Sequence, residues 1–140
     1  MNILNNEVQV VAPEFVHQAW DKVRPYIEAS VATGVNDCTV DQFKMLCAKG
    51  MATLLVILNE SNVIGATVIE FIITPNNRVA IVTALGGRGL MNEHTINQVA
   101  NWCRANGATK FRAWASESQA RLYKQKAGFN VSRYVVEKLL

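Results

Sequence analysis

SESQARLYKQKAGF, Ser116 to Phe129, reads as a short helix, a glycine turn and the entry to a last strand. Ser116 or Ser118 caps the helix start by accepting an orphan backbone N–H. Ala120, Leu122 and Tyr123 are followed at helical spacing by Ala127, so one side of the helix is apolar. Gly128 stands where a helix needs a residue tolerant of the left-handed conformation, and Phe129 anchors the returning chain. Tyr123 either packs its ring between helix and sheet with its hydroxyl at the edge, or brings that hydroxyl to a reaction.

Upstream of this stretch the pattern is strand, glycine loop, helix, strand. Arg78 to Leu85 (RVAIVTAL) is β-prone, and Gly86-Gly87-Arg88-Gly89 follows it. Asn92 caps a helix over 92–106 with Ile96, Val99, Ala100 and Cys103 on its apolar face, ending at Gly107. Lys110 to Ala115 is the next strand. A strand–helix–strand unit needs a crossover, which makes Arg78–Leu85 and Lys110–Ala115 parallel neighbours. Ahead of it, Ala52–Leu58 and Val63–Ile73 are two further strands, joined to each other and to the 78–85 strand by short polar turns. These three should form an antiparallel meander.

The first fifty residues carry no chemical signature. Glu7–Val11 (EVQVV) alternates as a short strand. Val16, Ala19, Trp20, Val23 and Ile27 mark an amphipathic helix, which Pro25 should kink or split. Gly34–Asp37 is a loop. Thr39 with Gln42 forms a capping box for a second helix that turns Phe43, Leu46 and Cys47 inward and stops at Gly50. The order is β-α-α-β-β-β-α-β-α-β, an α+β fold in one domain spanning 1–140.

Composition agrees with a globular chain. Half of the 140 residues are hydrophobic and 18% are charged. No uncharged apolar run approaches the roughly 20 residues that span a bilayer. The start, MNILNNEVQVV, lacks the basic and apolar regions of a signal peptide, so a cytoplasmic protein is expected. Three cysteines without CxxC spacing (Cys38, Cys47, Cys103) suit a reducing compartment. The net charge of +3 is uneven: residues 110–140 carry seven Lys+Arg against two Asp+Glu, whereas 1–109 carry seven against nine. That basic end meets a phosphate-bearing ligand or an acidic partner, or is simply a solvated face. Nucleic acid is disfavoured because no helix-turn-helix, zinc-finger or RNP-like pattern accompanies the charge.

The element order together with A-x-x-L-Y-x-x-x-G-F (Ala120 to Phe129) resembles the GCN5-related N-acetyltransferase (GNAT) superfamily over nearly the whole chain. The resemblance implies three layers and a mostly antiparallel sheet whose parallel fourth and fifth strands splay apart to admit acetyl-CoA. It implies pyrophosphate contacts from the loop after the fourth strand, here Leu85, Gly86, Gly87, Arg88 and Gly89, with the following helix dipole in support. The main chain near Thr83–Leu85 would align the pantetheine. Tyr123 matches the tyrosine that protonates the leaving thiolate, and Ser118 or Ser116 would hydrogen-bond the thiol. The loop departs from the family's usual Gln/Arg-x-x-Gly-x-Gly/Ala, with Met91 where a small residue is expected and Glu93 near the helix start.

Two readings follow. In the first the protein transfers an acetyl group to an amine of a small molecule or a protein. Tyr123 is then the acid, and Glu70, the only carboxylate within the three meander strands, the base, with His94 or an ordered water as the other choices. In the second the chain resembles short acetyltransferase-like proteins of tailed bacteriophages and is a non-catalytic virion component or interaction module. It would then dock another copy or a partner through the edge of a last strand, Val131–Leu139, or through Trp102 and Trp114.

Overall fold

The computed structural model describes residues 2–34 and 37–140, so Val35 and Asn36 of the expected Gly34–Asp37 loop lie outside the described residues. The elements run β1 (Asn6–Val11), α1 (Val16–Thr33), α2 (Val40–Ala48), β2 (Thr53–Asn59), β3 (Asn62–Ile73), β4 (Arg78–Gly87), α3 (Glu93–Ala105), β5 (Lys110–Ala113) and α4 (Glu117–Ala127). One sheet holds all five strands in chain order. The first four are antiparallel, and β4–β5 is parallel.

Local chemistry sets the helix ends. Thr39 and Gln42 make the expected capping box of α2, and Ser116 with Gln119 makes a second one at α4. The Asn92 side chain caps α3 through Thr95 N–H. Gly128 takes φ 74° and closes α4, its N–H donating to the Tyr123 carbonyl. Pro25 does not split α1, which runs on to Thr33. Pro25 is exposed, while Val16, Trp20, Val23 and Ile27 on the opposite stripe are fully buried. At about 1.5–3 kcal/mol for each large apolar side chain buried, that stripe outweighs the roughly 3 kcal/mol cost of a helical proline.

Two cores sandwich the sheet. Helices α1 and α2 cover Leu54, Val56, Ala66, Val68 and Ala84, with Phe43 and Cys47 from α2. The other face packs Leu55, Ile57, Ile64, Ile69 and Ala80 against Ile96, Val99 and Cys103 of α3, with Phe111 and Phe129 at its border. Ala80 and Ala84 lie on opposite faces although four residues apart. Thr83 is the cause: Val68 pairs with Ala84 and Ile69 with Val82, leaving Thr83 as an extra residue in β4. A bulge of this kind bends its strand and increases the local twist.

The expected last strand does not form. Residues 130–140 have no regular secondary structure and all are exposed. A β-prone apolar run forms a strand only where a neighbouring strand takes up its N–H and C=O groups, and this segment has none in the single chain.

Candidate active site

The site is built on the parting of β4 and β5. Their pairing covers only Val79–Val82 against Lys110–Ala113 and stops one residue before the Thr83 bulge. Beyond it β4 continues to Gly87, still paired with β3, while β5 has ended. The sheet therefore opens along one side of Thr83–Gly87.

Tyr123 is carried by α4, the helix that follows β5. Its ring is 8% exposed and lies edge-on to Phe129, centroids 5.0 Å apart, and Phe129 in turn packs 5.3 Å from Phe111 of β5. Burial pushes its phenol up to about 12. The hydroxyl makes no hydrogen bond among the described residues. Ser116 and Ser118 are exposed at the start of α4, their hydroxyls 3.2 Å apart, and Ser116 is the one that caps the helix.

The structure separates the residues expected to form a phosphate loop. Gly86 and Gly87 belong to β4 and pair with Ala66 and Gly65. Arg88 N–H donates to the Ile64 carbonyl at 2.8 Å, and Leu85 N–H donates to Ser30 Oγ of α1 at 3.0 Å. Among the described residues, the N–H groups of Gly89, Leu90 and Met91 make no hydrogen bond, and the first turn of α3 begins just beyond them. The free backbone donors thus lie at Gly89–Met91, ahead of the α3 N-terminus, with Glu93 in the same turn.

That loop is tied down by a polar cluster the sequence reading did not identify. Asn6, 4% exposed, donates through Nδ2 to the Gly89 carbonyl and to Thr95 Oγ1, both at 3.1 Å, and accepts from Asn59 Nδ2 at 2.8 Å. Asn92 Nδ2 donates to the same Gly89 carbonyl at 2.6 Å. Gln98 Nε2 donates to the Asn6 carbonyl, and His94 Nε2 lies 3.3 Å from it. His94 therefore belongs to this cluster. The signal available in the sequence was polar residues at the ends of apolar strands, which alone does not say what they meet.

Glu70 is half-buried on β3, opposite Ile81, and shares its face with Ala66 and Val68, the side covered by α1 and α2. Its charge adds to burial in raising the Cys38 and Cys47 thiols, Cys47 to about 12. Tyr123 and Glu70 thus lie on opposite sides of the sheet. The described residues contain no group of His, Cys, Asp and Glu suited to a metal ion, and no described helix is long and apolar enough to cross a membrane.

The same fold occurs in solved acetyltransferases. An aminoglycoside acetyltransferase from an uncultured soil metagenomic sample, solved with sisomicin, superposes with TM-score 0.69 at 11% identity, covering 97% of both chains. A ribosomal-protein-alanine N-acetyltransferase from Brucella melitensis biovar Abortus gives 0.62 at 15% identity over 95% of this chain and 99% of that one. A predicted acetyltransferase of Clostridium acetobutylicum, solved with acetyl-CoA, gives 0.64 at 13% identity over 96% of each. The likeness to bacteriophage proteins finds no support among these structures. No protein-family model matches the chain, and no curated protein sequence is similar to it.

Proposed function

We propose that the protein is an acyl-CoA-dependent N-acetyltransferase acting on an amine. The observation that carries this reading is the opening of the sheet at the Thr83 bulge, beside unpaired loop N–H groups, in a fold shared with acetyltransferases. Acetyl-CoA fits these residues at its diphosphate, through Gly89, Leu90, Met91 and the α3 N-terminus, and supplies an activated thioester when bound. Tyr123, with its phenol pushed up to about 12, keeps its proton at neutral pH, as a donor to a leaving thiolate must. Glu70 takes the proton of the attacking amine from the α1–α2 side. The neighbours include an aminoglycoside acetyltransferase and a ribosomal-protein-alanine N-acetyltransferase, which support an amine acceptor without narrowing its class.

A second reading, an interaction module on the same fold, is favoured by the internal use of Leu85 N–H and Arg88 N–H. A thermal-shift titration with acetyl-CoA separates the two. Binding to the native state at a hundred times the dissociation constant adds about 2.7 kcal/mol, a rise of roughly 8 °C for a chain of this size. Melting unchanged by millimolar acetyl-CoA would overturn the enzyme reading.

A further inference from the structure

We infer that the C-terminal segment is the dimerisation element of this protein and that its partner is the same segment of a second copy. Residues 130–140 leave α4 without a hydrogen-bonding neighbour, yet six of them are large and apolar. Tyr134, Val136 and Leu139 are 89, 92 and 96% exposed, with Val131, Val135 and Leu140 beside them. Apolar residues displayed along an unpaired chain invite strand addition.

The charges select the occupant. The sheet has two outer strands, β1 and β5. On β1, Gln98 already takes the Val8 N–H and the Asn6 carbonyl. The other edge, β5, is four residues long and carries Lys110 and Arg112 against a segment that carries Arg133 and Lys138. Two copies of the segment, by contrast, are complementary. A twofold axis normal to an antiparallel pair passes through a residue that faces its own copy. With Val135 on the axis, Arg133 faces Glu137 twice, Val131 faces Leu139 twice and Tyr134 faces Val136 twice, while Lys138 meets the neutral Ser132. Opposite charges and aromatic–β-branched pairs directly across are the favourable cross-strand combinations. Centring on Tyr134 or Val136 sets Arg133 against Val135 or Leu139, and centring on Arg133 or Glu137 opposes like charges. Val135 is the centre that matches the charges.

A two-stranded ribbon is marginal by itself. The unit from which it departs offers it apolar support, since Leu122 of α4 and Trp114 after β5 are both about half exposed. This inference does not depend on the catalytic reading.

Sedimentation of the full chain tests it together with charge reversal. The parent should dimerise, and R133E or E137R should each raise the dissociation constant about tenfold or more, because each sets like charges across the ribbon twice. The double variant R133E/E137R should return to within about threefold of the parent. Under oxidation V135C should form a covalent dimer, its own copy lying at the 4.5–5.5 Å of directly opposed residues. S132C should not, since its copy lies six residues along the ribbon, about 20 Å away. These positions are exposed, so unchanged melting of the separated monomers confirms that the variants fold. A parent that is monomeric at roughly 100 μM, single reversals that dimerise like the parent, or S132C linking as readily as V135C would each overturn the assignment.

Discussion

The main chain of Gly86 runs directly beneath the Tyr26 carbonyl, so close that a Cβ at position 86 would overlap it. One residue on, Gly87 at φ 88° lies against the Tyr26 ring and the Gly65 backbone. The two glycines therefore let α1 press onto the free end of β4, and Ser30, one turn after Tyr26, completes the contact through Leu85 N–H. This contact holds the β4 side of the opening in place.

Gly86→Ala should accordingly be among the most damaging single-methyl changes in the chain. Overpacking against backbone costs about 3 kcal/mol, which lowers the melting temperature by roughly 10 °C. Gly128→Ala adds the same methyl at φ 74°, but nothing lies within 4 Å of it. Only the left-handed backbone penalty remains there, about 1 kcal/mol. Melting curves of the two variants should differ clearly, and equal losses would show that the α1–β4 contact yields easily.

Asn6 joins β1 to the loop that precedes α3, with side-chain bonds to Gly89, Thr95 and Asn59. Asn6→Ala should cost about 2–3 kcal/mol, since it leaves the buried Thr95 hydroxyl without this partner. It should also weaken acetyl-CoA binding by roughly tenfold if Gly89–Met91 hold the diphosphate, because the loop loses one of its two tethers. Asn5→Ala, at an exposed position bonded to Glu60, is the control and should change neither. Calorimetric titration beside melting curves checks both effects.

What the sequence made legible was local. The Thr39–Gln42 box, the Ser116 and Asn92 caps and the Gly128 stop each depend on residues within one turn. The buried stripe Ile96, Val99, Cys103 follows from helical period alone. What stayed hidden depends on which elements meet. Val131–Leu139 is apolar and β-prone as a strand should be, but composition does not provide a neighbour. Gly86-Gly87 has the composition of an anion loop, and glycine serves a close helix approach equally well. Only the crossing of α1 over β4 decides between those uses. The α4 helix that carries Tyr123 could be located from its motif, because its cap and Phe129 are contiguous with it.

Alkaline pH should destabilise the protein through its buried thiols and phenol. Burial pushes Cys47 from 9.0 to about 12, Cys103 from 9.0 to about 11 and Tyr123 from 10.0 to about 12. Well below pH 9 all three are protonated both folded and unfolded, and they add no pH dependence. Between pH 9 and 12 the unfolded chain loses these protons while the folded chain retains them, so stability falls as pH rises. Melting temperature should therefore be flat with respect to these groups from about pH 7 to 8.5 and decline above pH 9. Replacing Cys47 and Cys103 together by Ala should lower the starting stability but flatten the slope between about pH 9 and 10. An unchanged slope in that variant would show that other groups govern the alkaline limb.

Tyr123→Phe separates chemistry from packing, because it removes only a hydroxyl from a ring already held by Phe129. That hydroxyl has no hydrogen-bond partner among the described residues, so its loss should change stability by no more than about 1 kcal/mol. If the phenol donates its proton to the departing thiolate, turnover should fall roughly a hundredfold while Michaelis constants stay nearly unchanged. If it only packs, turnover should be that of the parent. Acetyl-CoA consumption over a panel of amines, measured for both proteins beside their melting curves, distinguishes the outcomes. Full activity in the Phe variant would remove the catalytic role from Tyr123 and leave the fold and the opening between β4 and β5 untouched. A hundredfold loss with intact melting and intact acetyl-CoA affinity would assign the proton to this residue, since neither misfolding nor weaker binding could then account for it.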